Sequence, residues 1–386
     1  MGWESKLERA RKLHRPSLRD WARDGLHETF PAFVRSLEDR QSMILSEQAL
    51  RELPVNLDAQ KLSVEEFWAR YEANSVPCVI GNIPRGYEGA KFTGAWPATD
   101  KWSIEALEDD EDLRNRLFKC GEDDDGRSIK VKLKHFLRYL HANKDDSPLY
   151  IFDTSFDEDK TAKRILTDYR VPAYFRDDLF RYVSESRRPP YRWFLVGPER
   201  SGTTVHIDPL ATNAWNTLVI GKKRWVLFPP HVPKHVVKGR GLVRRDEDDE
   251  AIHYFMYILP RIKRRAASSN SSEYRDFACY EFTQHAGETV FVPHGWWHAV
   301  LNLTHTVGVT QNFCSPRNFD SVWLKTRCGR KRMAYKWLQK LGEKEPSLAD
   351  RAIRLNQRDH FRMKYDPVEI QRREEEERRR KQHRAT

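Results

Sequence analysis

His206, Asp208 and His298 are the residues of this chain best suited to hold a metal ion and keep it reactive. Two imidazoles and one carboxylate suit a ferrous ion that must leave coordination positions open for a co-substrate and dioxygen. Side chains two apart on a strand point to the same face. His206-Ile207-Asp208 therefore offers both donors to one ion without bending the backbone. His298 follows 92 positions later in Gly295-Trp296-Trp297-His298 and completes the triangle from a second strand. His294 is a rival for that distal place, but it sits in the turn itself, where its direction is less constrained. Such a set points to an oxygenase.

Lys223, fifteen residues after Asp208, adds a place for an anion. A lysine inside an apolar strand pair is destabilising unless its ammonium meets a negative charge, and a bound dicarboxylate would supply one. Thr310, on the strand after His298, has a hydroxyl for the same carboxylate. Lys222 reads as a solvated turn residue. His231, His235, His253 and His305 read as surface or satisfied core histidines.

The elements that must position these groups are short strands. Leu149–Phe152, Tyr191–Val196, a hairpin of Trp215–Val219 and Arg224–Phe228 around Gly221, a second of Glu288–Val292 and Trp297–Leu303, and Thr306–Phe313 are apolar or β-branched runs punctuated by turns. Their even spacing predicts a sandwich or jelly roll rather than βαβ units. Three zones follow. Residues 1–145 are helical or mixed, and Ser63-Val64-Glu65-Glu66 predicts a capped helix over Leu62–Ala73. Residues 146–315 form the β core, with a charged insert of about 234–272 expected to be mobile. Residues 316–386 return to helix. Between Ser321 and Lys340 they carry seven basic residues and no acidic one, and from Glu369 a charged tail follows. Trp296, Trp297 and Phe291 are candidates for a dry wall around the metal.

At 386 residues, 39% hydrophobic and 32% charged, the chain holds one large core wrapped in polar arms. Mean hydropathy is −0.79 and the isoelectric point is about 9.3. No apolar run approaches the roughly 18 residues of a membrane span, and Met1–Arg15 lacks the apolar centre of a secretory signal, so a soluble intracellular protein is expected. Five scattered cysteines without a C-x-x-C pair argue against a disulfide framework or zinc ribbon. The net charge of +11 favours polyanions or acidic surfaces as partners.

Ser147-Pro148-Leu149-Tyr150-Ile151-Phe152-Asp153, His206-Ile207-Asp208-Pro209-Leu210, Ala214-Trp215-Asn216, Lys223-Arg224-Trp225, Gly287-Glu288-Thr289-Val290-Phe291-Val292-Pro293, Gly295-Trp296-Trp297-His298 and Thr310-Gln311-Asn312-Phe313 together resemble the JmjC family of Fe(II)- and 2-oxoglutarate-dependent oxygenases. Within it they are most similar to the branch with both lysyl-hydroxylase and arginine-demethylase activity, over roughly residues 60–340. His294 departs from that branch's glycine.

The resemblance implies a double-stranded β-helix, a cupin-like jelly roll that is mainly β with flanking helices. It implies His206, Asp208 and His298 as iron ligands, and Lys223 and Thr310 on the distal carboxylate of 2-oxoglutarate. Tyr150, Asn216 and Asn312 would make polar contacts around co-substrate and metal, with Trp193 and Thr203 nearby. Dioxygen would be the second co-substrate and ascorbate the supporting reductant. Implied substrates are lysines in Lys/Arg-rich splicing regulators, with methyl-arginine or histone tails second, and the implied location is the nucleus, with the cytoplasm as a further site. RNA contact through the basic C-terminal region and a homodimer are further expectations, and no membrane partner is expected. The competing class is a non-catalytic RNA- or protein-binding scaffold with a vestigial metal site.

Overall fold

The computed structural model describes residues 2–43, 57–86, 94–268, 274 and 277–383. Thirteen strands are assigned among them: β1 (Leu57–Asp58), β2 (Cys78–Gly81), β3 (Leu117–Glu122), β4 (Ser128–Lys132), β5 (Ile151–Asp153), β6 (Arg192–Gly197), β7 (Gly202–His206), β8 (Asn213–Ile220), β9 (Lys222–Phe228), β10 (Tyr280–His285), β11 (Thr289–Val292), β12 (Trp297–Asn302) and β13 (Thr306–Phe313). β3 and β4 form a separate hairpin. The others make a seven-stranded sheet, ordered β1-β2-β11-β8-β13-β6-β5, and a four-stranded sheet, ordered β10-β9-β12-β7. Apart from the parallel β1–β2 pair, each described strand pairing is antiparallel. This is the jelly roll expected from the strand spacing.

Strand alternation decides what lies between the two sheets. Val79, Ala214, Val290 and Val292 of the larger sheet cluster with Trp225, Leu227, Phe282 and Val300 of the smaller one. The intervening residues of the smaller sheet, Val226, Phe228, Ala299 and Leu301, face outward and belong to another apolar cluster with Phe30, Val236, Ile252, Phe255 and Ile262. On the outer side of the larger sheet, Phe291 meets Phe67 with centroids 5.0 Å apart, and Phe194 meets Trp102 at 5.1 Å. Phe67 belongs to the helix that Ser63 starts, where Ser63 Oγ accepts from Glu66 N–H at 3.0 Å. Gly221, at φ +92°, closes the β8–β9 turn, and a Cβ there would stand 2.1 Å from the His305 carbonyl oxygen.

One expectation needs correction. The insert is not a mobile loop over its described length. Lys234–Val237, Ala251–His253 and Leu259–Ser268 are α-helical, with a π-helical turn at Tyr254–Ile258. Val236, Val237, Ile252, Phe255 and Ile262 are buried there, because the outer face of the four-stranded sheet is apolar and must be covered. Residues 269–272 of the expected loop lie outside the described residues. Beyond residue 316 the chain is helical as expected, in Phe319–Gly329 and Lys331–Lys344 divided at Arg330, with Trp323 and Trp337 both buried.

By contact, the chain divides into two compact units. The first comprises residues 1–174, 192–207 and 214–311, and holds the bulk of the jelly roll. The second comprises residues 175–191, 208–213 and 312–386. Its core joins Leu179, Phe180 and Cys314 to Phe319, Trp323, Trp337, Leu341, Ala352 and Met363. Trp337 Nε1 donates to the Leu179 carbonyl at 3.1 Å. The charged tail is a helix, Pro367–His383. All five cysteines are free, and no described helix is long and apolar enough to cross a membrane.

Candidate metal centre and co-substrate pocket

His206 and His298 are directly opposed partners across β7 and β12, with ring centroids 4.2 Å apart. Three residues of β7 then match two of β12, since Val300 pairs with Thr203. This bulge brings Thr203 and His206 to the same inner face although they are three apart in sequence. Gly202 makes it possible, because a Cβ there would meet the Val300 carbonyl oxygen at 2.1 Å.

One ligand atom each from His206, Asp208 and His298 lies within 4.8 Å of the others, and this is the one such trio of histidine, cysteine or acidic groups among the described residues. His294, half-buried in its turn with its imidazole pKa lowered by burial, is outside it. His206 Nδ1 is 2.8 Å from the Thr204 carbonyl, and His298 Nδ1 is 3.1 Å from that of Trp296. A carbonyl can only accept, so each Nδ1 carries the proton and each Nε2 is left as the metal-binding nitrogen. Trp225, 6.2 Å from the His298 ring and nearly parallel to it, further fixes that imidazole. The donor set fits a ferrous ion with open positions.

Lys223 lies on the same inner face, paired across the ladder with Asn302 of β12 and Gln284 of β10. Its backbone is displaced from His298 by four strand residues, about 13 Å, a gap that the long side chain narrows. Lys223 is 1% exposed. Burial pulls its pKa down to about 7. Its Nζ donates to Tyr150 Oη at 3.2 Å, and burial in turn pushes the Tyr150 phenol well above its ordinary range. A cation this enclosed, with a phenol rather than a carboxylate beside it, is matched to an incoming anion.

The other sheet supplies the facing wall. Asn216 pairs with Val290 and so faces inward. Its Oδ1 is buried and has no hydrogen-bond partner among the described residues, as expected of a polar atom awaiting a ligand. Thr310 pairs with Trp193 on β13 and β6, opposite in face to Phe194. The Thr310 hydroxyl donates to the Trp215 carbonyl at 2.8 Å, so it must rotate to reach a carboxylate. Trp193 packs its ring on Phe152 at 5.5 Å.

Asn312 has a partner within the chain, and the dry wall is narrower than expected. Asn312 donates its amide to Thr212 Oγ1 at 3.0 Å, a bond that anchors the 208–213 segment. Of the three proposed dry-wall residues only Trp296 joins the inner cluster. Phe291 faces the outer layer and Trp297 packs against the insert cluster, because each neighbours an inward residue on its strand.

Sequence reasoning missed Asn302 and Gln284. Both are 0% exposed. Asn302 Nδ2 donates to Ser201 Oγ at 2.8 Å. Gln284 accepts from Trp225 Nε1 at 2.9 Å and donates to the Asn216 and Glu288 carbonyls. Asn302 was detectable as the residue four after His298 on an alternating strand. Gln284 had no such signal.

A jelly roll with two histidines and an aspartate at one end of its inner face, and an enclosed lysine further along, defines the class of iron- and 2-oxoglutarate-dependent oxygenases. Residues 193–313 match the family model described as JmjC domain, hydroxylase. The chain belongs to the JmjC family of these oxygenases. It is 40% identical over 349 residues to the bifunctional arginine demethylase and lysyl-hydroxylase psr-1 of Caenorhabditis elegans, covering 89% of this chain and 79% of that one. The protein of the same name from Caenorhabditis briggsae is 42% identical over 299 residues, covering 78% and 71%. A more distant relative, 2-oxoglutarate and iron-dependent oxygenase JMJD4 of Danio rerio, is 25% identical over 283 residues, covering 68% and 61%.

Proposed function

We propose that this protein hydroxylates lysine side chains of nuclear, Lys/Arg-rich splicing regulators, and that demethylation of methyl-arginine, including in histone tails, is a second outcome of the same centre. The observation that carries this reading is the pairing of a preset His206–Asp208–His298 trio with an enclosed Lys223. A scaffold has no use for a buried cation on the same face as metal-binding groups.

His206, Asp208 and His298 hold Fe(II), the two imidazoles fixed by their Nδ1 bonds to backbone carbonyls. When bound, iron with 2-oxoglutarate and dioxygen supplies the oxidation that converts a substrate C–H to C–OH, yielding succinate and carbon dioxide, with ascorbate keeping the metal reduced. Lys223 binds the distal carboxylate as an ammonium, and Thr310 joins it after its hydroxyl turns from Trp215. Tyr150 steers the Lys223 ammonium. Asn216 would offer its unmatched Oδ1 to the co-substrate, and Trp193 and Thr203 would border the pocket. Trp296, Val300 and Leu227 exclude water, and the positioning of the target C–H is the protein's main contribution. On lysine the product is a stable alcohol. On an N-methyl group the product is a carbinolamine that releases formaldehyde, leaving one methyl fewer.

We assign the protein to the nucleus, with cytoplasmic presence allowed. The helices that follow residue 316, with exposed Lys325, Arg330, Lys331, Arg332 and Lys336, are the proposed RNA-contacting and homodimer surface. The deciding experiment incubates a Lys/Arg-rich splicing-factor peptide, with and without methyl-arginine, with protein, Fe(II), ascorbate and 2-oxoglutarate, beside His206→Ala. Tandem mass spectrometry is expected to find one added oxygen on lysine, absent from the variant. Succinate formation without peptide oxidation rejects the substrate, and no succinate with iron bound rejects the oxygenase reading.

A further inference from the structure

The helical insert between β9 and β10 separates its charges. Four of the five acids between 246 and 250 are tied down, Asp246 being exposed: Glu247 pairs with Arg261, Asp248 with Arg15 and Arg23, Glu250 with Arg15 and Ser147, and Asp249 accepts from Thr204 Oγ1 at 2.7 Å. Its bases are not. Lys234, Arg240, Arg244, Arg245, Arg264 and Arg265 are all exposed, and none forms an ion pair among the described residues. Loop and helix make one surface, because Arg261 Nη1 donates to the Leu242 carbonyl at 3.0 Å while pairing with Glu247. Arg264 and Arg265 lie one turn further along the same helix. Six exposed cations on one insert, with Asp246 as the exposed acid outside those pairs, favour a polyanionic partner.

The surface also begins at the metal end of the sheet. Phe228, the last residue of β9 before the insert, pairs with Trp297 beside His298. Asp249, bonded to Thr204 two residues before His206, is 3.9 Å from Lys238 Nζ. A peptide whose lysine reaches the metal would thus have its flank next to the insert.

We propose that this basic face binds phosphorylated residues flanking the target lysine of the protein substrate, a proposal that rests on the oxygenase reading above. Five of the six cations are arginines, whose planar fork matches phosphate. No phenylalanine, tyrosine or tryptophan of residues 234–268 is fully exposed, Tyr257 being half-buried and His235 the one exposed ring, whereas single-stranded RNA is held largely by stacking on several such rings. A phosphopeptide is therefore favoured over RNA.

The test measures binding to the metal-free full chain by fluorescence anisotropy. The probes are a labelled lysine peptide with two flanking phosphoserines, its unphosphorylated twin, and a single-stranded RNA of similar length. The phosphopeptide is expected to bind about tenfold or more tightly than its twin. Arg240→Glu/Arg245→Glu, and separately Arg264→Glu/Arg265→Glu, are expected to erase that difference while twin binding and succinate formation without peptide stay as in the parent. Two independent surface variants guard against a folding defect in either. Equal binding of the two peptides, survival of the difference in both variants, or tighter binding of RNA that displaces the phosphopeptide each overturns the proposal. If the loaded protein forms no succinate while the phosphate preference remains Arg-dependent, the oxygenase reading fails and the anion-binding face stands.

Discussion

On the inner face of the four-stranded sheet, Lys223, His298, Asn302 and Gln284 are buried among Trp225, Val300 and Leu227. In the core of the C-terminal helices, Phe180, Phe319, Trp323 and Trp337 pack ring against ring at 4.9–6.2 Å, and the two indole N–H groups are satisfied by Leu179 O and Asn356 Oδ1. The first region buries polar groups that hydrogen bonds within the chain do not fully offset. The second buries chiefly apolar surface, with both indole N–H groups matched. Interiors of the second kind stabilise a fold, whereas unmatched polar groups in an interior oppose it and persist where a ligand completes them.

That contrast breaks if the two regions respond alike to substitution. The largest expected effect is on chemistry: His206→Ala takes succinate formation to background and abolishes stoichiometric Fe(II) binding, while the melting temperature of the metal-free chain moves by only a few degrees. Metal analysis and calorimetry on one preparation check both halves. Next, Trp337→Ala removes the indole at the centre of the helical core and lowers stability by about 3–5 kcal/mol in urea unfolding. Below the transition it leaves metal affinity unchanged, and a variant that loses iron while still folded would contradict the division of labour drawn here.

Lys223→Met sharpens the comparison through pH. Its pKa in the folded, co-substrate-free chain is about 7 against the ordinary 10.5 of a lysine, so between those values the unfolded chain binds the extra proton. Stability then rises with pH across that window and is lost as pH falls toward 7. In Lys223→Met this slope disappears from melting temperature against pH, and 2-oxoglutarate no longer raises the melting temperature. An unchanged slope would show that the ammonium is solvated after all. The smallest effect comes from outside both regions: Ser63→Ala removes a helix N-cap and lowers stability by about 1 kcal/mol, with turnover unaffected.

What was legible in the sequence follows from the period-2 rule. His206, His298 and Lys223 stand in alternating strands with punctuated turns, so the jelly roll and these donors were readable before any coordinates. Asp208, read as a strand residue, instead lies two residues past the end of β7 and starts the Pro209–Ala211 turn. Thr203 was nameable only by resemblance, because the bulge between Thr203 and His206 shifts the register and puts it on the face that alternation assigns to Thr204. Trp297 and Phe291 were misassigned for a related reason: next to an inward-facing residue on a strand means the opposite face. The insert was read as mobile from its charge and its serine-rich end. Its helices follow from tertiary cover, since Val236, Ile252 and Ile262 are wanted by the outer face of the sheet, a demand that no local pattern reveals. Asn302 lay within reach of the same alternation rule that found His298, and only its polar type concealed it.

The cross-strand partnership of His206 and His298 also sets a timetable. The two residues are 92 positions apart, so a chain emerging from the ribosome exposes the first half of the trio long before the second exists. A lone His206-x-Asp208 is a weak, unselective chelator. The competent centre appears only when β12 zips against β7 and β9. Iron loading is thereby postponed until the ladder has closed, and the nascent protein is spared from capturing whichever divalent ion it meets first.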